Sequence, residues 1–287
     1  MAQTKVKITT DSASDLNGLF ASADIEKFPL YVTLGDEHYF DDVDIDPTMI
    51  FDYYEKTGKL PKTAARSTND FYDFFKSFTD QGFEVVHIAI SSQISGTYEY
   101  AMAAAKELSN VYVVDGRSLS SGTGLLALAA ADLRNEGKDA KTIAETLERR
   151  KSFVQASFMV NTLEFLYKGG RCSGLSAFFG KTLSIKPTLQ LIDGKISVDR
   201  KYLGRFDKNI LKYVDYTLQK YDTPDMTRVF ITHTHADSAV VASVRERLVN
   251  FGFKDENIIE TIAGSTITSH CGKSTLGILY INDGEKA

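Results

Sequence analysis

Apolar positions along this chain mark strands and helices throughout, and their arrangement divides it into halves of different character. In the first half, short β-branched runs alternate with stretches of helical spacing. Residues 6–10, 84–90 and 110–115 read as strands, each a brief apolar run bounded by turn residues. Helical spacing covers 49–55, 70–78, 98–108, 122–135 and 140–152. Asp46-Pro47 starts the first of these helices and Gly58 stops it. Strands separated by helices pair in parallel through crossovers.

The second half reads differently. A strand over 154–160 runs toward the turn Gly169-Gly170-Arg171. Two runs, 188–192 and 195–198, flank Asp193-Gly194, a pair suited to a type I′ hairpin turn. Helices are predicted over 206–220 and 239–250, and strands over 228–232, 257–262 and 275–281. The expected architecture is α/β in two domains, 1–155 with a mainly parallel sheet and 156–287 with substantial antiparallel pairing. The boundary is expected within 152–162.

Composition narrows the function. The 287 residues are 43% hydrophobic and 25% charged, enough for ordinary cores, and the net charge of -5 argues against wholesale nucleic-acid binding. No run approaches the ~18 apolar residues of a membrane span, and residues 1–10 lack a signal-like apolar region, so a cytoplasmic protein without a stable membrane anchor is expected. Cys172 and Cys271 lack metal-ligand spacing and are expected to be free thiols.

Candidate chemistry gathers in loops. All three first-half strands end in hydroxyl-rich segments: Asp11-Ser12-Ala13-Ser14, Ser91 to Thr97, and Arg117 to Gly122. Ligands of open parallel sheets sit outside the carboxyl ends of the strands. Ser95-Gly96-Thr97 also opens a helix, whose free N–H groups favour an anion. Such hydroxyls equally serve as ordinary helix caps. Arg171 follows two glycines, which let a backbone turn through positive φ or admit a close neighbour. A guanidinium delivered there suits a carboxylate or phosphate.

Two apparent motifs fail on inspection. His233-Thr234-His235-Ala236-Asp237 begins like a metal-hydrolase motif, but the next residue is Ser238 and the other histidines lack supporting spacing, so no metal is expected. Gly272-Lys273-Ser274 ends like a nucleotide loop, but isoleucine stands at position 267, where that loop requires glycine, and a strand is expected to follow. No G-x-S-x-G nucleophile elbow is present.

Several segments, in this order, resemble the DegV family: Thr10-Asp11-Ser12, Pro61-Lys62-Thr63 with Ser67, Ser95-Gly96-Thr97-Tyr98, Leu163 to Leu166 running into Gly169-Gly170-Arg171, Ile185-Lys186-Pro187 with its Asp-Gly hairpin, and Ser269-His270-Cys271-Gly272. The resemblance runs over nearly the whole chain. It implies two α/β domains enclosing a long-chain fatty acid, with the carboxylate on Thr63 and Ser95 and with Arg171 and His270 close to the head group. It also implies a carrier that presents its ligand to a separate fatty acid kinase subunit for phosphorylation, itself non-catalytic and needing no cofactor. Ala64, Ala65 and Arg66 after Thr63, and Cys271 to Ser274 after His270, depart from the family's usual pattern. The competing reading of the residues is a serine hydrolase, with Ser95 as nucleophile and His270 as its base. The basic cluster Arg200, Lys201 and Arg205 is a candidate contact for a partner, or a solvated turn.

Overall fold

The computed structural model describes residues 5–172 and 185–284. The chain opens with β1 (Lys5–Asp11), passes the short helix α1 (Leu19–Ser22) and returns as β2 (Ile25–Phe28). A hairpin follows, β3 (Tyr31–Leu34) and β4 (Glu37–Phe40), with Gly35 at positive φ in its tight loop. Asp46 then caps α2 (Pro47–Thr57), and Gly58 ends it in the left-handed region, as the sequence predicts. The short strand β5 (Lys62–Ala64) pairs with β3, and α3 (Thr68–Thr79) begins in a capping box of Ser67 and Asp70. β6 (Phe83–Ala89), α4 (Thr97–Ala105) and β7 (Val111–Asp115) complete this half.

The strands β2-β1-β6-β7 form one sheet in that order, parallel throughout. Three of its strands, β1, β6 and β7, are those the hydrophobic pattern predicts, and β2 is an addition at its edge. The separate antiparallel sheet β4-β3-β5 is an addition that the sequence reading does not contain.

Two helices, α5 (Ser121–Asn135) and α6 (Ala140–Arg150), lead into the second half. There β8 (Val154–Met159), the one-turn helix α7 (Glu164–Lys168), β9 (Ile185–Ile192) and β10 (Lys195–Leu203) are followed by α8 (Phe206–Lys220) and β11 (Val229–His233). The described chain ends with α9 (Ser238–Phe251), β12 (Ile258–Ile262), α10 (Ser265–Cys271) and β13 (Leu276–Ile281). The strands order as β10-β9-β8-β13-β11-β12, antiparallel except for the β11–β12 pair. The expected antiparallel character of this half is therefore met.

Helix α5 joins the two halves. Its first eleven residues, Ser121 to Ala131, are all buried. It packs on β1 and β6 of one sheet and on β8 and β13 of the other. A helix that is apolar all round has to be enclosed. Gly124 permits this, because a Cβ there would lie 2.7 Å from the Ser14 carbonyl oxygen and the Leu16 side chain. One hydrophobic cluster accordingly contains Ile8 and Val86 together with Phe230 and Leu279. Asp132 and Arg228 add a bidentate ion pair across the same seam, at 2.5 and 2.8 Å. Among the described residues, no helix is long and apolar enough to cross a membrane.

Candidate functional site

Thr63, Ser95, Arg171 and His270 lie on four separate segments, and the fold brings all four to the wall of one cavity of about 110 Å³. Thr63 is presented by β5, whose pairing with β3 sets Thr63 opposite Val32. Ser95 stands two residues ahead of α4, in the loop after β6. Apolar side chains, among them Leu30, Ile90, Leu119, Leu166, Ile196 and Ile267, form most of the remaining wall. A void of about 20 Å³ lies beyond Leu119, Ile267 and Cys271, which border both spaces.

His270 arrives on α10, a helix that the sequence reading does not contain. Its Thr-Ile-Thr core is β-branched and a poor helix former. Tertiary contacts supply what propensity lacks. Asp41 accepts the Ser265 N–H at 2.8 Å, and Asp15 accepts the Gly264 N–H at 2.8 Å. These two carboxylates satisfy orphan donors of the first turn from positions remote in sequence. Thr266 stands one turn before His270 on the same helix face and also lines the cavity.

Each glycine of the Gly-Gly-Arg turn has one of the two expected uses. Gly170 takes φ +71°. Gly169 admits the imidazole, since a Cβ on it would lie 2.8 Å from His270 Nδ1. Arg171 then donates to the Gly169 carbonyl at 2.7 Å and leaves its guanidinium exposed at the cavity wall. Burial, with the Arg171 charge beside it, pushes the His270 imidazole down to about 4, so it is neutral near pH 7. His270 Nε2 and Thr63 Oγ1 are hydrogen-bonded at 2.8 Å. Ser95 Oγ is paired instead with Thr97 Oγ1, at 2.8 Å, and accepts the Thr97 N–H at 3.2 Å. The serine–histidine hydrogen bond that a hydrolase would use is not formed among the described residues.

Most of the rim hydroxyls have structural work. Ser12 donates to Asp41 at 2.8 Å, Ser91 to the Gly194 carbonyl at 2.8 Å, and Ser92 to Asp115 at 2.6 Å. Ser120 donates to Asp15 at 2.5 Å, and Ser121 shares a proton with Thr232 at 2.5 Å. The three loops do share one rim of the parallel sheet, but of the serines named only Ser95 lines the cavity. Thr97 and Thr266 were not singled out from sequence. The first sits inside a quoted motif, and the second would have been found from its i, i+4 spacing to His270 had α10 been read as a helix.

The remaining sequence features resolve locally. His233 shares a proton with Glu260 at 3.2 Å, His235 lies edge-on to Phe51, and Asp237 caps α9 through the Ala239 N–H. Gly272-Lys273-Ser274 runs into β13, a strand, where a nucleotide loop would enter a helix. Arg66, one of the departures after Thr63, stacks among Phe28, Tyr31 and Phe40 at 4.8–4.9 Å and donates to Asp70. Of the basic cluster, Arg200 lies 3.6 Å from the Tyr216 ring and Arg205 pairs with Asp207 at 2.7 Å.

The family model described as "Uncharacterised protein, DegV family" matches residues 5–283. The chain belongs to the DegV family. Among DegV relatives, a Clostridium perfringens DegV domain-containing protein is 31% identical over 97% of this chain and 98% of its own. A Thermotoga maritima protein named a fatty acid-binding protein is 32% identical over 95% of this chain and 96% of its own. The solved structure of a DegV family protein from Thermus thermophilus, described by its fatty acid binding, superposes with a TM-score of 0.86 at 31% identity. It covers 96% of this chain and 99% of its own. The Bacillus subtilis DegV structure, a fatty acid binding protein, gives 0.82 at 25% identity, over 97% and 99%.

Proposed function

We propose that this DegV protein binds a long-chain fatty acid and presents the carboxylate to a separate kinase subunit, which makes the acyl phosphate. The observation that carries this reading is the cavity itself. Two hydroxyls, an exposed guanidinium and a neutral imidazole line it, and aliphatic side chains form most of the remaining wall. Relatives named or described as fatty-acid-binding proteins share the fold over nearly the full length. A buried methylene gives about 0.8 kcal/mol, so ~15 of them offer on the order of 12 kcal/mol gross, part of which ordering and desolvation offset. The tail thus supplies affinity, running past Leu119, Ile267 and Cys271. The head group, which would be costly to bury unpaired, is met by Thr63 and Ser95.

In this reading Arg171 acts on charge that develops during phosphoryl transfer, since it lines both the cavity and a neighbouring groove bordered by Gln93, Gly170 and Ser197. The same groove includes Lys195 and Lys201, cations that suit an approaching phosphoryl donor. Transfer needs a cradle for nucleotide phosphates and carboxylates for magnesium, which the partner would bring.

The test is to incubate the protein with ATP, magnesium and oleate and to trap acyl phosphate with hydroxylamine. No hydroxamate is expected without a kinase subunit. Robust hydroxamate from a preparation free of host kinase would overturn the carrier role. Covalent labelling of Ser95 by a serine-reactive phosphonate would favour the hydrolase instead.

A further inference from the structure

The edges of the two large sheets are guarded, with one exception. A free edge is a row of unpaired N–H and C=O groups, and proteins blunt it with charges, bulges or covering side chains. β10 carries Asp199, Arg200 and Lys201 about a register shift between Val198 and Arg200. β2 has Glu26 and Lys27 at its centre. β12 is closed at its end by Asn17, which accepts the Ile262 N–H at 2.9 Å and donates to the Ile262 carbonyl at 3.1 Å. β7, the other edge of the parallel sheet, has none of these devices over Val111-Tyr112-Val113-Val114. Such a β-branched and aromatic run fits a pleated surface well.

The hydrogen bonds fix which groups of β7 are free. The Val85 N–H donates to the Asn110 carbonyl at 2.9 Å, and the Gly116 N–H donates to the Ala89 carbonyl at 3.0 Å. Alternate residues of a strand point opposite ways, so 110, 112, 114 and 116 turn their backbone groups toward β6. Val111 and Val113 turn theirs outward, where the sheet has no further strand.

This edge is the floor of a groove of about 540 Å³ between α4 and α6. Met102, Ala105 and Ala144 give its walls an apolar surface, and charges stand above them. Glu145 pairs with Lys141 at 3.9 Å and Glu148 with Lys151 at 2.5 Å. Among the described residues Lys106 and Arg149 have no ion pair, although Arg149 donates to Thr146 Oγ1 at 3.2 Å. Lys106 ends α4, just before β7 begins. Helix α6 starts beside Glu84, near the beginning of β6, and carries Arg149 toward the other end of the strands. Each end of the groove therefore holds a cation without a partner.

We propose that the free edge of β7 is a docking site for an extended segment of a partner protein, with a β-branched core and acidic residues at both ends, which adds a strand to the parallel sheet. The charges decide against a second copy of this chain. Two β7 strands related by a twofold axis would run antiparallel, and Lys106 of each would meet Arg149 of the other. An acidic segment answers both cations.

The test uses the full chain and a synthetic nine-residue peptide, an alternating valine–threonine core with two acidic residues at each end. In the free protein, amide hydrogen exchange should be fast at Val111 and Val113 and slow at Tyr112 and Val114. The peptide should slow Val111 and Val113. It should also bind more tightly than the same core with lysine ends, against the net charge of -5. Lys106→Glu with Arg149→Glu should weaken the acidic peptide roughly tenfold, turn the preference toward the basic one and leave oleate binding unchanged. Slow exchange at Val111 and Val113 in the free monomer would show that the edge is closed. Slowing that grows with protein concentration alone, with a dimer in sedimentation, would make the occupant a second copy. Either result, or no preference between the two peptides, would overturn the proposal.

Discussion

At the scale of single residues, the site separates into groups that face the ligand and groups that aim them. Thr63 and Ser95 line the cavity, and in the proposed reading Thr63→Ala with Ser95→Ala removes both carboxylate donors. Each hydrogen bond to a charged group is worth about 1.5–3 kcal/mol, and the double variant should bind oleate at least tens-fold more weakly in a calorimetric titration. Unchanged affinity would show that the head group lies elsewhere. Gly169 aims His270. An alanine there would meet both Nδ1 and the Phe165 carbonyl oxygen at 2.8 Å, contacts that neither a ring atom nor backbone yields cheaply. Gly169→Ala should displace the imidazole and weaken oleate binding several-fold, and calorimetry beside far-UV dichroism checks that the fold survives. Arg171 is exposed and, among the described residues, hydrogen-bonded only to the Gly169 carbonyl, so Arg171→Ala should reduce kinase-coupled turnover more than affinity. Equal losses in the two assays would make it simply a binding residue.

At the scale of elements, legibility in the sequence follows locality. The parallel strands β1, β6 and β7, the Asp193-Gly194 hairpin and the long helices have their causes within their own windows, and they appear where periodicity places them. The hairpin of β3 and β4 was also legible through Gly35-Asp36 between two β-rich runs, but it was not read. Helix α10 was not legible, because its first turn is held by Asp15 and Asp41 across more than two hundred positions. The resemblance placed His270 near the head group, whereas only the fold pairs it with Thr63. The buried carboxylates at the end of β1 also carry a pH signature. Asp11 accepts the Ile90 N–H at 2.8 Å, yet burial pushes it up to about 7, against the opposing pull of that hydrogen bond. A raised carboxyl contributes stability that is full below its unfolded value near 3.8 and is lost as pH rises through about 7. Asp11→Asn should therefore gain on the parent between pH 4 and 7, read as urea midpoints at each pH, and a constant difference would contradict this. Taking the difference cancels His87 and His270, whose imidazoles are pushed down to about 3 and about 4 and run the other way.

At the scale of the molecule, two sheets share one enclosed helix. Because α5 packs on both, neither half owns a complete core. Fragments cut at the predicted boundary, 1–155 and 156–287, should each lack a cooperative urea transition, while the intact chain should show one. Independent cooperative unfolding of either fragment would contradict the shared core. The same fold brings the four site segments to the wall of one cavity, whose remaining lining is mostly apolar. The central claim is that a fatty acid occupies this cavity, and mass spectrometry of lipid extracted from denatured protein, purified from a bacterial host, tests it most directly. The account predicts close to one long-chain fatty acid per chain in the parent and markedly less in the Thr63→Ala, Ser95→Ala double variant. A parent extract without fatty acid, or one holding a sugar or other polar ligand in its place, would contradict it.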